Sequence, residues 1–107
     1  MDFKETISSA DGFDWDKGNL EKNWVKHRVS QPECEQVFFS RPISFFEDPT
    51  HFEPEGRYCV LGQTDQQRLL FLVFIMRENK IRVISARDMS RKERKEYKSY
   101  EKENTSF

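Results

Sequence analysis

The stretch from Arg68 to Met76, RLLFLVFIM, constrains this chain more than any other. From Leu69 onward it is apolar without a break. It is too short to cross a bilayer and too continuous for a strand with one wet face. Such a segment belongs inside a sheet, covered on both sides. Its flanks supply the neighbours. Arg57 to Gln63 reads as a strand that ends near Gly62 and the polar turn Thr64-Asp65-Gln66-Gln67. Lys80 to Arg87 reads as the returning strand after a turn at Arg77-Glu78-Asn79. Ile43 to Glu47 is a shorter strand, followed by the proline-rich loop Glu47 to Gly56.

Helices are expected on either side of these strands. Asp16 is placed to cap a helix from Lys17 to about His27, with Leu20, Trp24 and His27 or Arg28 on one face and Asn19, Asn23 and Lys26 on the next stripe. Ser30 and Glu33 form a capping-box pair with Pro32 in the first turn. The helix they open buries Cys34, Val37 and Phe38 and ends near Ser40, because Pro42 cannot continue it. Ser90 and Glu93 repeat the capping-box spacing and open a charged helix to about Glu103. Phe13-Asp14-Trp15 alternates like a very short strand. The expected fold is α+β, a twisted antiparallel sheet of three to four strands with two N-terminal helices and a C-terminal helix. Residues 1–12 read as a flexible lead-in, 13–103 as one domain and 104–107 as a disordered tail.

The net charge of −1 hides an asymmetry. Residues 1–56 carry 6 Lys and Arg against 12 Asp and Glu, and residues 57–107 carry 12 against 7. One reading is a half that binds a polyanion; the other is two halves that attract each other. Cys34 and Cys59 have no C-x-x-C spacing, and His27 and His51 lie far apart in sequence, so neither a disulfide framework nor a metal site is expected. The opening MDFKETISSADG has no apolar core of a signal peptide. The expectation is a soluble, cytoplasmic protein without cofactor or membrane association.

A register can be guessed for the hairpin. If Met76 pairs with Ile81, regular pairing sets Leu70 opposite Arg87. Arg68, Leu70 and Arg87 then share a face, with Arg82 on the other. Two guanidinium forks on one face would suit a phosphate. The competing reading pairs each arginine with a carboxylate such as Asp65 or Asp88.

The residues also carry a resemblance. FDWDKGNLEKNWVKHRV (Phe13 to Val29) resembles the opening of the BrnT toxins, whose pattern is F-x-W-D and then a helix ending N-x-x-K-H-x-V. The likeness continues through FEDPTH (Phe46 to His51), RYCVLGQT (Arg57 to Thr64), the Arg68-Leu69-Leu70 strand, IRVISAR (Ile81 to Arg87) and the run from Ser90 to Tyr97. It implies a RelE-like fold and a metal-independent ribonuclease that inhibits translation as the toxin of a type II toxin–antitoxin system. The implied partner is a BrnA-like ribbon-helix-helix antitoxin, two toxins assembling with two antitoxins, with operator DNA bound only through the antitoxin. Asn19 stands where a lysine is common in the family, and Asp88 where a basic or neutral residue is frequent. Both favour the alternative of a catalytically weakened toxin fold that serves as a protein-interaction module.

RNA cleavage through the 2′-hydroxyl needs a base, an acid and a stabiliser for the phosphorane. On this reading Arg68 and Arg87 stabilise charge, and Lys26 and His27 move protons or position phosphate. Trp15, Lys22, Asn23 and Arg91 contact the RNA, Trp15 by stacking on a base. The structural competitors are Trp15 packed beside Phe13, His27 as a helix C-terminal residue, and Asn23 and Lys26 as solvent-facing helix positions.

Overall fold

The computed structural model describes residues 10–47 and 56–105. Most of the loop Glu47 to Gly56, including His51, and residues 1–9 and 106–107 lie outside the described residues. The elements run α1 (Lys17–His27), α2 (Gln31–Val37), β1 (Ser44–Glu47), β2 (Arg57–Gln63), β3 (Leu69–Arg77), β4 (Lys80–Asp88) and α3 (Arg91–Thr105). The four strands form one antiparallel sheet in sequence order. β3 sits inside it, as its unbroken apolar run requires.

The two faces of the sheet have different covers. On one, Leu70, Leu72 and Phe74 of β3 are buried with Val60, Ile81, Val83 and Ala86 against Val29, Cys34 and Val37. Burying each large side chain there contributes roughly 1.5–3 kcal/mol. Phe38 and Phe45 meet Phe74 edge-on, with ring centroids 5.1 and 6.2 Å away. On the other face Leu61, Met89 and Tyr97 form a smaller cluster with Leu69 and Phe71. Tyr97 is fully buried, and its hydroxyl donates to the Pro42 carbonyl at 2.6 Å, which ties α3 to the start of β1.

Local signals explain most boundaries. Ser30 and Glu33 close a reciprocal capping box on α2, and Ser90 and Glu93 exchange the same bonds at the start of α3. α2 ends at Val37, earlier than expected, in a turn that leaves Phe39 exposed. α3 runs on to Thr105, past the expected Glu103. Glu78 and Asn79, at φ 50° and 64°, join β3 to β4 in a two-residue loop whose left-handed pair matches the twist of a hairpin. Gly62 lets α2 lie close on β2, since a Cβ there would meet Ser40 Oγ at 2.7 Å and Val37 Cγ1 at 2.8 Å. The strand-like Phe13-Asp14-Trp15 makes one parallel bridge, Phe13 with Ile81, along the outer edge of β4.

Two expectations are corrected. Met76 does pair with Ile81 and Phe74 with Val83. The register then shifts, and Val73, Leu72, Phe71 and Leu70 face Ser85, Ala86, Arg87 and Asp88. Ile84 is the extra residue of a β-bulge. Side chains beyond a bulge exchange faces. Arg87 therefore stands opposite Phe71, on the face of α3, and Asp88 takes the place beside Arg68 that regular pairing gives to Arg87.

The second correction concerns α1. Asn23, 2% exposed, is turned inward, and Trp24, 48% exposed, is turned out. The physical reason is the edge of β4. The Ala86 N–H points away from β3 and needs an acceptor, and the Asn23 carboxamide oxygen supplies it at 3.2 Å. That bond sets the rotation of the helix, and the indole has to follow.

Candidate functional site

α1 ends where the structure gathers its polar groups. Asp16 caps its first turn by accepting the Asn19 N–H at 3.0 Å. At the other end Arg28 adopts the left-handed conformation, φ 55°, and its N–H bonds to the Asn23 and Trp24 carbonyls. This stop leaves the His27 and Arg28 carbonyls pointing outward. Arg68, which precedes β3, donates to both, at 3.0 and 2.8 Å. A cation at a helix C-terminus is favourable on dipole grounds.

The other donors of Arg68 go to carboxylates. Nε and Nη2 grip both oxygens of Asp88 at 2.8 and 3.1 Å, and Nη1 reaches Glu33 at 3.0 Å. A guanidinium has five N–H donors, and here each has an acceptor. One side chain thus clamps the end of α1, the first turn of α2 and the end of β4. The hydrogen bonds to Asp88 hold the Arg68 guanidinium well above its ordinary pKa. Reciprocally, they hold the Asp88 carboxyl below its usual range, with Coulombic help from Arg68, Arg94 and His27. Burial pushes Glu33 up, but bonds from the Ser30 N–H, Arg68 and the Ser30 hydroxyl outweigh it, so the net shift is downward.

Arg87 lies on the opposite face. Its fork holds Glu93 at 2.8 and 2.9 Å, Nη1 also donates to the Asp88 carbonyl at 3.1 Å, and the guanidinium lies 4.2 Å from the centre of the Phe71 ring. The two arginines expected to converge on one phosphate are therefore separated by the sheet, each bound to its own carboxylates.

The remaining predicted residues divide by position. Lys26 and His27 are at the end of α1, Lys26 exposed and His27 half-buried near Asp88. Lys22 is exposed one turn earlier, and Arg91 is exposed at the first position of α3. Asn23 is not available to a substrate, since its carboxamide is buried on β4. Trp15 is a structural residue as well. Its indole N–H donates to Glu35 at 2.8 Å and its ring stacks on Phe13 at 6.0 Å. Arg82 turns to Asp14 and Asp16 at 3.5 and 3.6 Å.

Two side chains in this neighbourhood, Trp24 and Arg94, were not among the expected site residues. Helical spacing places Trp24 only on a face shared with Leu20, and it is the exposed indole, with the Arg28 guanidinium 5.4 Å from its ring centre. Arg94 looked like one more charge on a charged helix, yet it is one of the cations acting on Asp88. The end of α1, the end of β4 and the first turn of α3 thus bring His27, Arg68 and Arg94 around a single carboxylate. Among the described residues no group of three or more His, Cys, Asp or Glu is arranged to hold a metal ion.

Residues 15–93 match a family described as "Ribonuclease toxin, BrnT, of type II toxin-antitoxin system". A crystal structure of the Brucella abortus ribonuclease toxin BrnT has the same fold, with a TM-score of 0.58 and 20% identity over 75% of this chain and 97% of that one. No curated protein matches the chain.

Proposed function

The chain belongs to the BrnT family, the ribonuclease toxins of type II toxin–antitoxin systems, and from that premise we propose that it cuts RNA without a metal at the junction of α1, β4 and α3. The observation that carries the reading is the set of cationic and proton-transferring groups around Asp88: His27, Arg68 and Arg94, with Lys26 and Arg91 exposed nearby. In the reaction the 2′-oxygen attacks the adjacent phosphorus, and the bond from phosphorus to the 5′-oxygen breaks. The 2′-hydroxyl proton goes to a base and the leaving 5′-oxygen takes one from an acid, giving a 2′,3′-cyclic phosphate and a 5′-hydroxyl. His27 is the proton-transfer group, since an imidazole serves either role near neutral pH. Lys26, Arg91 and Arg94 offset the developing charge. Arg87, committed to Glu93 on the far face, takes no part. Trp24, not Trp15, stacks on an unpaired base, and Lys22 and Arg28 lie along the same helix for the backbone.

A type II toxin has an antitoxin as its partner. We assign that role to a BrnA-like ribbon-helix-helix protein, two copies with two toxins, operator DNA being bound through it alone. Cleavage of RNA would inhibit translation in the cytoplasm; no helix among the described residues is long and apolar enough to cross a membrane.

The test is induced expression in a bacterium without antitoxin, together with cleavage of RNA by the purified chain in a chelator. Growth should stop and the new ends should be cyclic phosphates. His27→Ala should lower the rate by about 10²–10⁴-fold. Cleavage by that variant at the wild-type rate would overturn the assignment of His27. A second reading, a toxin fold that binds its antitoxin but cuts nothing, is favoured by the complete engagement of Arg68. It predicts a folded, non-toxic wild-type chain, and activity regained in Asn19→Lys.

A further inference from the structure

Arg68 is the best phosphate ligand in the neighbourhood by chemistry and has no donor left for one. Its four partners are not equally fixed. The His27 and Arg28 carbonyls belong to the backbone at the end of α1. Glu33 is held in place by the Ser30 N–H and hydroxyl, each at 3.0 Å, as half of the α2 capping box. Asp88 differs. Its side chain is 50% exposed, it sits on the last residue of β4, and the hydrogen bonds found for its carboxylate are those from Arg68. Among the described residues no other hydrogen bond is found for it.

A carboxylate gripped side-on by one edge of a guanidinium presents two anionic oxygens in the plane of the fork, as a phosphodiester does. The carboxylate side of this pair is half open to water, where solvent and ions compete for the fork. The carboxylate can also swing into water without losing a buried contact. Arg94 and His27 stand close enough to add their fields to the same spot. We propose that Asp88 occupies the seat of an RNA phosphate, so that the Arg68 fork is an anion site closed by an internal ligand that the substrate must displace. The inference rests on the ribonuclease reading for the identity of the anion, while the seat itself is a matter of hydrogen-bond geometry. It makes Asp88 a residue that lowers RNA affinity, in the position that regular pairing would have given to Arg87.

The experiment measures binding of a single-stranded 2′-O-methyl oligonucleotide, which cannot be cleaved, by fluorescence anisotropy across a salt series. Asp88→Asn keeps an acceptor for Arg68 and removes the charge. It should bind about tenfold tighter or more than wild type, and the salt slope should steepen by about 0.7, one added phosphate contact. Asp65→Asn, the same charge change on the exposed turn, should do much less. The gain should vanish in the double variant Asp88→Asn with Arg68→Gln. Unchanged or weaker binding in Asp88→Asn overturns the proposal, as does a gain that survives loss of Arg68 or is matched by Asp65→Asn. Should Asp88→Asn fail to fold, wild type titrated with inorganic phosphate decides the matter. The Arg68 Nε–H resonance should move saturably, and a resonance that stays still rejects the exchange. Cleaved RNA without tighter binding in Asp88→Asn sinks this inference and spares the ribonuclease reading. Tighter binding in a chain that cuts nothing does the reverse.

Discussion

Arg68, just before β3, and Arg87, near the end of β4, are the same residue type, and they do different work. Arg68 bonds to His27, Arg28, Glu33 and Asp88, partners far from it in the chain, and joins three elements. Arg87 bonds to Glu93 and the Asp88 carbonyl, near neighbours in the chain, and rests on Phe71. The first closes a tertiary junction, and the second stiffens one strand-to-helix turn. A fork of charged donors has no fixed role. Its role follows from how far along the chain its acceptors lie.

The contrast can be broken by experiment, most forcefully at Arg68. Arg68→Ala leaves the carbonyls at the end of α1 and the Asp88 carboxylate without their donor, and Glu33 with its Ser30 bonds alone, and should lower unfolding free energy by about 3 kcal/mol in denaturant. A loss no larger than that of Arg87→Ala would erase the distinction. Asn23→Leu comes next, at about 2 kcal/mol, because the Ala86 N–H keeps its burial and loses its acceptor. Faster amide exchange at Ala86 should accompany that loss, and unchanged exchange would mean that α1 is held by something else. Arg87→Ala should fall to about 1 kcal/mol, since it releases one carboxylate and no helix end.

Acid sharpens the comparison. Asp88, Glu33 and Glu93 all have depressed folded pKa values. Their contribution is complete above the ordinary values of 3.8 and 4.5 and is lost as pH falls through the lower folded ones. Stability should therefore drop below about pH 4. Arg68→Ala should flatten that limb more than Arg87→Ala, since it releases two carboxylates and not one. Equal flattening would count against the geometry. Smallest of all, Trp24→Ala should change stability by less than about 0.5 kcal/mol, as an exposed position does. The same change should weaken oligonucleotide binding by about 1–3 kcal/mol. Normal RNA binding with loss of antitoxin binding would reassign Trp24 to the protein partner.

Much of the fold was legible in the order of the residues. The unbroken run after Arg68 named the inner strand. Ser30 with Glu33 and Ser90 with Glu93 named two helix starts, and the turn Arg77-Glu78-Asn79 named the hairpin, one residue longer than the loop that forms. Each is a local signal, set by covalent geometry within a few residues. The site was legible only in part. Arg68 does reach the end of α1, where its guanidinium bonds to the His27 carbonyl, but Trp15 packs on Phe13, and Arg87 and Asp88 exchange the positions that regular pairing gives them. Helical spacing groups Trp24 with Leu20 and leaves open which face of α1 turns inward. That choice falls to an N–H on a strand more than sixty residues away.

Sequence alone determined the family, the order of the elements and the caps that start and stop them, because those depend on short-range sterics and hydrogen bonding. The tertiary structure decided which charge stands beside Arg68. A bulge is chosen by the packing of both faces of the sheet at once, and at Ile84 that choice turned Arg87 away and brought Asp88 in.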